Sequence, residues 1–156
     1  LHNDIEFFYN DIVINNSSLE FKFFLDFNNK IKGRYTPYRT EWTVFDEKIR
    51  LAGSIDMCYL NNQDEFLLFD WKRSRKIDKE NNFRCGKPPL LHIPDSNYWH
   101  YCLQLNLYKN ILENNYAKKV SGMCIVRLHP SANSYEFFVV PDLSKEIMLM
   151  LSSKNS

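Results

Sequence analysis

The sequence has few cysteines and glycines, no long apolar run and almost no net charge. Its four cysteines are scattered without a CxxC pair, which argues against a zinc ribbon and offers no disulfide framework. No apolar stretch reaches the roughly 18 residues of a membrane span, and the first ten residues lack the basic and apolar regions of a signal peptide. We therefore expect an intracellular protein in a reducing compartment, such as the cytoplasm, the nucleus or a viral factory.

A net charge of +1 excludes a polycationic chain, so any affinity for nucleic acid must come from local clusters of charge. The 156 residues are 44% hydrophobic and 15% aromatic, which indicates a folded chain with a sizeable core. One domain over residues 1–156 is the expectation. Because the sequence begins at Leu1 and not at a methionine, we expect a fragment that lacks N-terminal residues.

The apolar patterns predict two helices, three strands, a long loop, a helix, two strands and a closing helix. The predicted helices cover 2–12, 19–31 (with Ser17 or Ser18 as N-cap), 96–116 (with Ser96 as N-cap) and 142–153, and the strands cover 40–46, 49–60, 65–72, 118–128 and 135–141. Three consecutive strands with tight turns form an antiparallel meander, to which a helical crossover adds further strands. The predicted class is α/β, with a mixed sheet covered by helices.

Three acids interrupt the predicted strands. Glu41 opens the first, Asp56 lies in the second within GSIDM, and Asp70 ends the third within FLLFDWK. If these strands are neighbours the acids converge, and their pKa values rise unless a cation neutralises them. Oxygen ligands with few thiols or imidazoles suit Mg²⁺ or Mn²⁺. Lys72 shares a strand face with Asp70, where it could hold a water or a phosphate beside the metal, an arrangement suited to phosphodiester hydrolysis.

A purely structural interpretation competes with this one. Asp70 and Lys72 by themselves would form a salt bridge at the end of a strand, and Asp56 would mark a turn. An isolated D-x-K triplet is too common to decide between the two. The order of the whole set of motifs is more specific than any one of them.

Gly53-Ser54-Ile55-Asp56, Asp70-Trp71-Lys72 and Gln104-Leu105-Asn106-Leu107-Tyr108 together resemble the RecB-like exonuclease branch of the PD-(D/E)XK nuclease superfamily. That branch shows GxxD, acid-x-lysine and QxxxY in this order. The resemblance spans residues 1 to about 140, and it implies a restriction-endonuclease-like core. It also implies a divalent-metal-dependent DNA nuclease, an exonuclease on linear DNA with possible endonuclease activity.

The same resemblance assigns roles to individual residues. It implies that Asp56 and Asp70 bind the metal, that the Trp71 carbonyl is a further ligand, and that Lys72 positions or activates the attacking water. Residues 1–6 resemble the first-helix motif of the branch, in which a histidine is a metal ligand, and a further acid often precedes GxxD. The residues that would complete or support the metal shell are therefore His2 and Glu41.

The resemblance places Gln104 and Tyr108 on a helix that faces the site, where they would touch the DNA backbone or the end of a strand. Their i, i+4 spacing supports a common helix face independently. The alternative is a polar pair on a solvent-exposed face. We expect the buried side of this helix to be marked by Leu103, Leu107 and Ile111.

A basic, aperiodic loop leaves the proposed catalytic lysine and runs to Asp95. Charge runs are usually solvated, but this one is placed to contact DNA phosphates, which would make binding salt-sensitive. The main candidates are Arg73, Arg75 and Lys76, and the other cations of the loop are Lys79, Arg84 and Lys87. At its end, the aromatic residues Tyr98, Trp99 and Tyr101 could stack on bases or pack in the core.

CRISPR-adaptation nucleases of this branch add an iron–sulfur cluster on four cysteines, three of them close together near the C-terminus. Because the four cysteines here lie elsewhere, at positions 58, 85, 102 and 124, we predict no iron–sulfur cluster. The asparagine-rich composition with this motif set resembles a cluster-free relative in a giant-virus system of resistance to virophages. The mitochondrial genome-maintenance exonucleases share the same motifs.

The expected partners are DNA, a second copy of the chain in a homodimer, and a helicase or another defence or repair protein. Two other functions stay open at this point. One is an inactive nuclease fold that serves as a DNA-binding module, although every catalytic residue type is present. The other is an RNA endonuclease of the cap-snatching kind, which QxxxY and GSID argue against.

Overall fold

In the computed structural model, residues 1–80, 85, 86, 90, 92 and 96–154 are described. These residues form a mixed five-stranded sheet flanked by four helices, which confirms the predicted α/β class. The elements in chain order are α1 (His2–Tyr9), α2 (Leu19–Ile31), β1 (Thr36–Asp46), β2 (Leu51–Leu60), β3 (Phe66–Lys72), α3 (Asn97–Asn115), β4 (Val120–Arg127), β5 (Glu136–Val139) and α4 (Ser144–Lys154).

The strand order of the sheet is β1-β2-β3-β4-β5, the same as the order in the sequence. The first three strands form the predicted antiparallel meander, β4 runs parallel to β3, and β5 returns antiparallel to β4. A parallel pair requires a crossover connection, which α3 provides. The carboxyl ends of β3 and β4 therefore lie side by side, where Lys72 pairs with Arg127.

Apolar side chains cover both faces of the sheet. On one face, Phe24 and Phe27 of α2 pack edge-on against Trp71, with ring centroids 5.5 and 5.8 Å apart. On the other face, residues of α3 such as Leu105 and Leu112 pack against the strands. Because neighbouring strand residues point to opposite faces, the tail of β3 can send Trp71 into the first layer and Asp70 toward α3.

Several predicted boundaries differ from those observed. β1 begins at Thr36 and not at Thr40, so Glu41 lies within the strand and does not open it. The added residues are mostly exposed and include a register shift between Pro37 and Arg39, so they carry no apolar alternation that would mark a strand. α1 ends at Tyr9, which leaves Ile12 exposed and not on the apolar face of the helix.

The helix caps behave differently at the two predicted sites. The Ser18 hydroxyl accepts a hydrogen bond from the Phe21 backbone N–H, as expected for an N-cap. Ser96 occupies the N-cap position of α3, but its hydroxyl makes no hydrogen bond among the described residues.

Within the described part of the chain, no helix is both long and apolar enough to span a bilayer.

Candidate active site

Asp56 and Asp70 lie opposite each other on neighbouring strands. The β2–β3 register pairs Met57 with Phe69, so the next facing positions are those of the two acids. Asp70 is 5% exposed, and Asp56 Oδ2 accepts a hydrogen bond of 2.9 Å from the Trp71 backbone N–H. The structure thus brings two carboxylates together at a place that is largely shielded from water.

The two carboxyl groups differ in their affinity for a proton. Burial, together with the negative charge of Asp56, raises the pKa of Asp70 to about 7. Burial also acts to raise the pKa of Asp56, but hydrogen bonds from His2 and from its other neighbours hold that pKa below its ordinary value. Asp56 is therefore the charged member of the pair, and Asp70 takes up the first proton.

This asymmetry predicts how stability depends on pH. Between the ordinary pKa of an aspartate, 3.8, and about 7, native Asp70 keeps a proton that the unfolded chain releases. In metal-free buffer, its contribution to the free energy of unfolding therefore falls as pH rises through this window and is flat above it, with a slope of at most about 1.4 kcal/mol per pH unit. The lowered pKa of Asp56 acts only below the window.

Urea denaturation from pH 4 to 8 would measure this slope, and Asp70→Asn should remove it because the amide does not titrate. His2 and Glu41 also have raised pKa values, so the difference between wild type and Asp70→Asn is the informative quantity. Asp26→Asn, at an exposed position on α2, serves as the control and should leave the slope unchanged. Equal slopes in wild type and Asp70→Asn would contradict the prediction.

Lys72 stands beside the acid pair as an ammonium ion. Its Nζ lies 2.9 Å from Asp70 Oδ2, although that oxygen makes no hydrogen bond of acceptable geometry among the described residues. Burial acts to lower the pKa of Lys72, but the Asp70 carboxylate outweighs it and raises the pKa above its ordinary value. A lysine that stays protonated can orient a water or a phosphate oxygen, but it does not remove a proton from water.

His2 closes the site from the first helix. Its Nε2 lies 2.8 Å from the Trp71 carbonyl oxygen and 3.3 Å from Asp56 Oδ2. The hydrogen bond to Asp56 is the largest of the effects that raise the pKa of His2, so a proton on Nε2 lies between two oxygen acceptors. Three of the residues predicted as metal ligands therefore meet through one imidazole nitrogen.

Glu41 approaches the same acids from β1 with a strained backbone. It lies between the pairs Thr40–Met57 and Trp42–Ile55, which places it opposite Asp56, and its φ of 44° falls in the left-handed region. Burial and then the charge of Asp56 raise its pKa, and the Ser54 hydroxyl donates to it over 3.3 Å. Such strain within a strand is costly and clusters at functional sites.

The QxxxY residues of α3 lie at different depths. Gln104 is exposed, whereas Tyr108 is buried and feels the charges of both acids, since burial and then Asp70 and Asp56 raise its pKa. A Cβ added to Gly53 would lie 2.2 Å from Tyr108 Cε1, so the glycine of GSID provides the space for this ring. GSID and QxxxY, which are far apart in the sequence, are therefore in direct contact through Gly53 and Tyr108.

The expected buried side of α3 needs a correction. Leu103 and Leu107 are only partly buried, whereas Leu105, Tyr108 and Leu112 face the sheet. These three follow one another at i, i+3 and i+7, a spacing that continues one helix face. The prediction for Leu103 and Leu107 was wrong because Tyr108 was treated as a polar residue outside the core. The prediction for Ile111, which is buried, is confirmed.

The basic segment begins at the exposed Arg73, whose Nε lies 3.6 Å from Glu20 Oε1. Arg75 and Lys76 are also exposed, and Lys76 pairs with Asp78 over 3.2 Å. Beyond residue 80, only residues 85, 86, 90 and 92 of the predicted loop are described, so Arg84 and Lys87 lie outside the described residues.

Arg127 is a residue that sequence reasoning missed. Its guanidinium is buried at the end of β4, donates to the backbone carbonyls of Ser74 and Arg75, and pairs with Glu136. It thereby fixes the first residues of the basic segment next to Lys72. The available signal was a charged residue at the end of the apolar run MCIVR, the same pattern that drew attention to Asp70.

The three aromatic residues near the start of α3 have separate environments. Tyr98 is buried in the core, so the core interpretation is correct for it and base stacking is not. Trp99 is half-buried and donates its Nε1–H to the Lys79 carbonyl over 2.9 Å. Tyr101 is half-buried, with its ring 4.3 Å from Lys72 Nζ.

The donor set of this site suits a hard divalent cation. It comprises two carboxylates, a backbone carbonyl and an imidazole, and Asp70 Oδ2 is a buried oxygen without a hydrogen bond among the described residues. In the described part of the chain, no three His, Cys, Asp or Glu side chains form a preformed metal cage. Mg²⁺ is commonly held by one or two carboxylates and keeps several waters, so the residues present are sufficient for it.

Comparison with known proteins gives only distant likenesses. No family model matches the chain, and no curated protein matches it. The crystal structure of SSO0001 is 15% identical over 83% of this chain and 54% of its own, with a TM-score of 0.42. A protein from Eubacterium rectale named "Putative exonuclease" is 14% identical over 86% of this chain and 51% of its own, with a TM-score of 0.47. This chain spans about half the length of both, and at this similarity neither identifies its family or its activity.

Proposed function

We propose that this chain is a divalent-metal-dependent DNA nuclease that hydrolyses phosphodiester bonds, acting as an exonuclease on linear DNA. The observation that carries the proposal is the convergence of Asp56, within β2, with Asp70 and Lys72 at the end of β3, where Lys72 Nζ lies 2.9 Å from Asp70. Burying two like charges is costly. The fold gains no stability from keeping two carboxylates together beside a lysine, so a catalytic role explains this arrangement better than a structural one.

The proposed ligands of a bound Mg²⁺ or Mn²⁺ are Asp56 and Asp70, with the Trp71 carbonyl, His2 and Glu41 completing or supporting the shell. Such a cation lowers the pKa of a bound water and offsets negative charge on the phosphate. His2 holds a proton between Asp56 and the Trp71 carbonyl, and it must lose that proton to act as a ligand, because a coordinating imidazole is neutral.

The residues of the chain then divide the work of hydrolysis. The oxygen of water adds to phosphorus and releases a proton to solvent, the bond from phosphorus to the leaving sugar oxygen breaks, and that oxygen takes up a proton from solvent. Lys72, as an ammonium ion, orients the attacking water or a non-bridging phosphate oxygen. The exposed Gln104 contacts the DNA backbone or the end of a strand from α3, while the buried Tyr108 lies beside the acid pair. Arg73, Arg75 and Lys76 bind phosphates beyond the site.

A digestion assay tests the proposed function. Purified protein is incubated with end-labelled linear duplex, linear single-stranded and closed circular DNA, each with Mg²⁺, Mn²⁺ or EDTA. We expect cleavage of linear DNA that requires the metal and is restored when metal is added back after EDTA. Cleavage that persists in EDTA would sink the proposal. DNA binding without cleavage under any divalent metal would favour the inactive module, and faster cleavage of a matched RNA would favour the RNA endonuclease.

The contact between Gly53 and Tyr108 predicts the effect of one added methyl group. In Gly53→Ala the new Cβ overlaps the tyrosine ring, so the ring must leave its present position beside the acid pair. We expect the cleavage rate to fall by roughly 100-fold, the typical effect of a misplacement of about 1 Å in a catalytic site. The measurement is a single-turnover rate on linear DNA, with circular dichroism to verify folding.

Gly122→Ala is the matched control, since it also adds a Cβ to a strand glycine. Its nearest contact, at 3.0 Å, is the mobile end of Leu67, which can give way. This variant should cleave at close to the wild-type rate. Equal rates for wild type and Gly53→Ala in folded protein would show that the position of Tyr108 is not important for cleavage.

The basic segment predicts a change in salt dependence. If Arg73 and Arg75 each neutralise one phosphate, the double variant with glutamine at both positions should weaken DNA binding. It should also reduce the slope of log affinity against log salt by about 1.8 for duplex DNA or about 1.4 for single strands. Fluorescence anisotropy in EDTA, where cleavage is suppressed, measures both quantities. A charge-matched control replaces the exposed Lys48 and Lys145, and it should leave the slope unchanged.

A further inference from the structure

The Lys72 ammonium group contacts two different side chains. Asp70 Oδ2 lies 2.9 Å from Nζ, and Nζ lies over the Tyr101 ring, 4.3 Å from its centroid. The lysine side chain is 23% exposed, so the contact with the ring is partly withdrawn from water. An ammonium within about 6 Å of a ring centroid is attracted to the aromatic face, and more strongly when both are desolvated.

The ring supplies a restraint that the ion pair lacks. Lysine carries its charge at the end of a flexible four-carbon stem with three rotatable donors. The ion pair with Asp70 brings the charge close, but Asp70 Oδ2 makes no hydrogen bond of acceptable geometry among the described residues, so it does not set a direction. The flat ring under Nζ is a second contact that limits the positions that Nζ can occupy.

Helix α3 delivers this ring together with the QxxxY residues. Tyr101, Gln104 and Tyr108 follow one another at i, i+3 and i+7, which places them along one side of the helix. The Tyr101 hydroxyl lies 3.4 Å from Ser74 Oγ at the start of the basic segment. Because 3.4 Å is at the long limit of a hydrogen bond, the ring is positioned mainly by its own helix.

We propose that Tyr101 is a positioning residue that holds the Lys72 ammonium in place for phosphodiester cleavage. This inference rests on the proposed nuclease function for its consequence, but the contact itself can be tested without any activity. The aromatic ring performs this role, whereas the hydroxyl group does not.

Two substitutions separate the ring from the hydroxyl. Tyr101→Phe keeps the ring and should cleave DNA at close to the wild-type rate. Tyr101→Leu removes it and should lower kcat by roughly tenfold, with little change in KM for DNA, as expected for a partly desolvated cation–π contact. Tyr116→Leu, which removes a half-buried tyrosine at the end of the same helix, is the control and should leave kcat unchanged.

The readout that is independent of activity is the NMR shift of the methylene protons next to Lys72 Nζ, measured without metal. The ring current of Tyr101 should move them upfield in wild type and in Tyr101→Phe, and they should return to ordinary lysine values in Tyr101→Leu. An unchanged shift in Tyr101→Leu would overturn the inference whether or not the protein cleaves DNA. A wild-type protein that shows this shift but no cleavage would overturn the proposed function and leave the contact established. If Tyr101→Phe loses as much kcat as Tyr101→Leu, the ring is not the positioning element.

Discussion

Replacing Asp70 with asparagine is expected to lower the rate of DNA cleavage by roughly three orders of magnitude or more. The amide has nearly the shape of the carboxylate, so we expect the variant to keep the wild-type fold. It does remove one of the two paired carboxylates of the proposed metal site, together with the negative charge that lies 2.9 Å from Lys72 Nζ. The measurement is a single-turnover rate on end-labelled linear DNA with Mg²⁺ in excess.

The same substitution should not destabilise the metal-free protein above neutral pH. It removes the repulsion between two carboxylates that share a buried place, which offsets the loss of the ion pair with Lys72, so the free energy of unfolding should change little. Little change in stability combined with a large loss of activity is typical of a residue kept for function. Asp26→Asn on the surface of α2 should change neither quantity, and full cleavage activity in Asp70→Asn would contradict the assignment of this site.

The order of elements could be predicted because each strand and helix carries its own periodic pattern. The run that ends in Asp70 reads as a buried strand, and the serine before α2 reads as a cap. Boundaries were less predictable where the chain is exposed, as in the first residues of β1, because exposed strand residues need no apolar alternation. The position of Glu41 within its strand was wrong for this reason.

Contacts between distant residues could not be predicted, because no local pattern records them. Nothing in GSID shows that its glycine lies under the Tyr108 ring, and nothing in the helix shows that Tyr101 contacts Lys72. Arg127 was missed because a buried arginine is defined by its partners, which here are carbonyl groups more than 50 positions earlier in the chain. The motifs predicted which residues form the candidate site, whereas the register of the sheet determines which of their side chains are in contact.

The departures from ordinary folding rules concentrate around the two acids. They include a buried pair of carboxylates, a left-handed residue within β1 at Glu41, and a carboxylate oxygen, Asp70 Oδ2, that makes no hydrogen bond among the described residues. The other non-glycine residues with a left-handed backbone among those described, Asp11, Arg50, Asp64 and Ala117, lie outside the helices and strands. Local conflicts that persist in a folded protein tend to mark its functional site, which is an argument for this site independent of any motif.

Trp71 packs on the face of the sheet opposite to Asp70, and its truncation should lower the free energy of unfolding more than the other substitutions considered. The indole is fully buried, and it packs against Phe24, Phe27 and Phe69, with ring centroids 5.5, 5.8 and 6.3 Å away. Trp71→Ala should lower the free energy of unfolding by about 3–5 kcal/mol, the usual cost of truncating a buried aromatic side chain. A domain of this size has only about 5–15 kcal/mol in total, so the effect is readily measured by urea denaturation.

Trp71→Phe should cost much less than truncation to alanine. The indole Nε1–H of Trp71 is buried and has no acceptor among the described residues, so phenylalanine removes an unsatisfied donor along with some packing. An unsatisfied buried polar group costs about 1–3 kcal/mol, which offsets part of the lost contact area. Trp99→Phe gives the opposite comparison, since it breaks a real hydrogen bond to the Lys79 carbonyl while little buried area is lost. If Trp71→Phe proves as destabilising as Trp71→Ala, the assignment of the indole N–H as an unsatisfied donor is wrong.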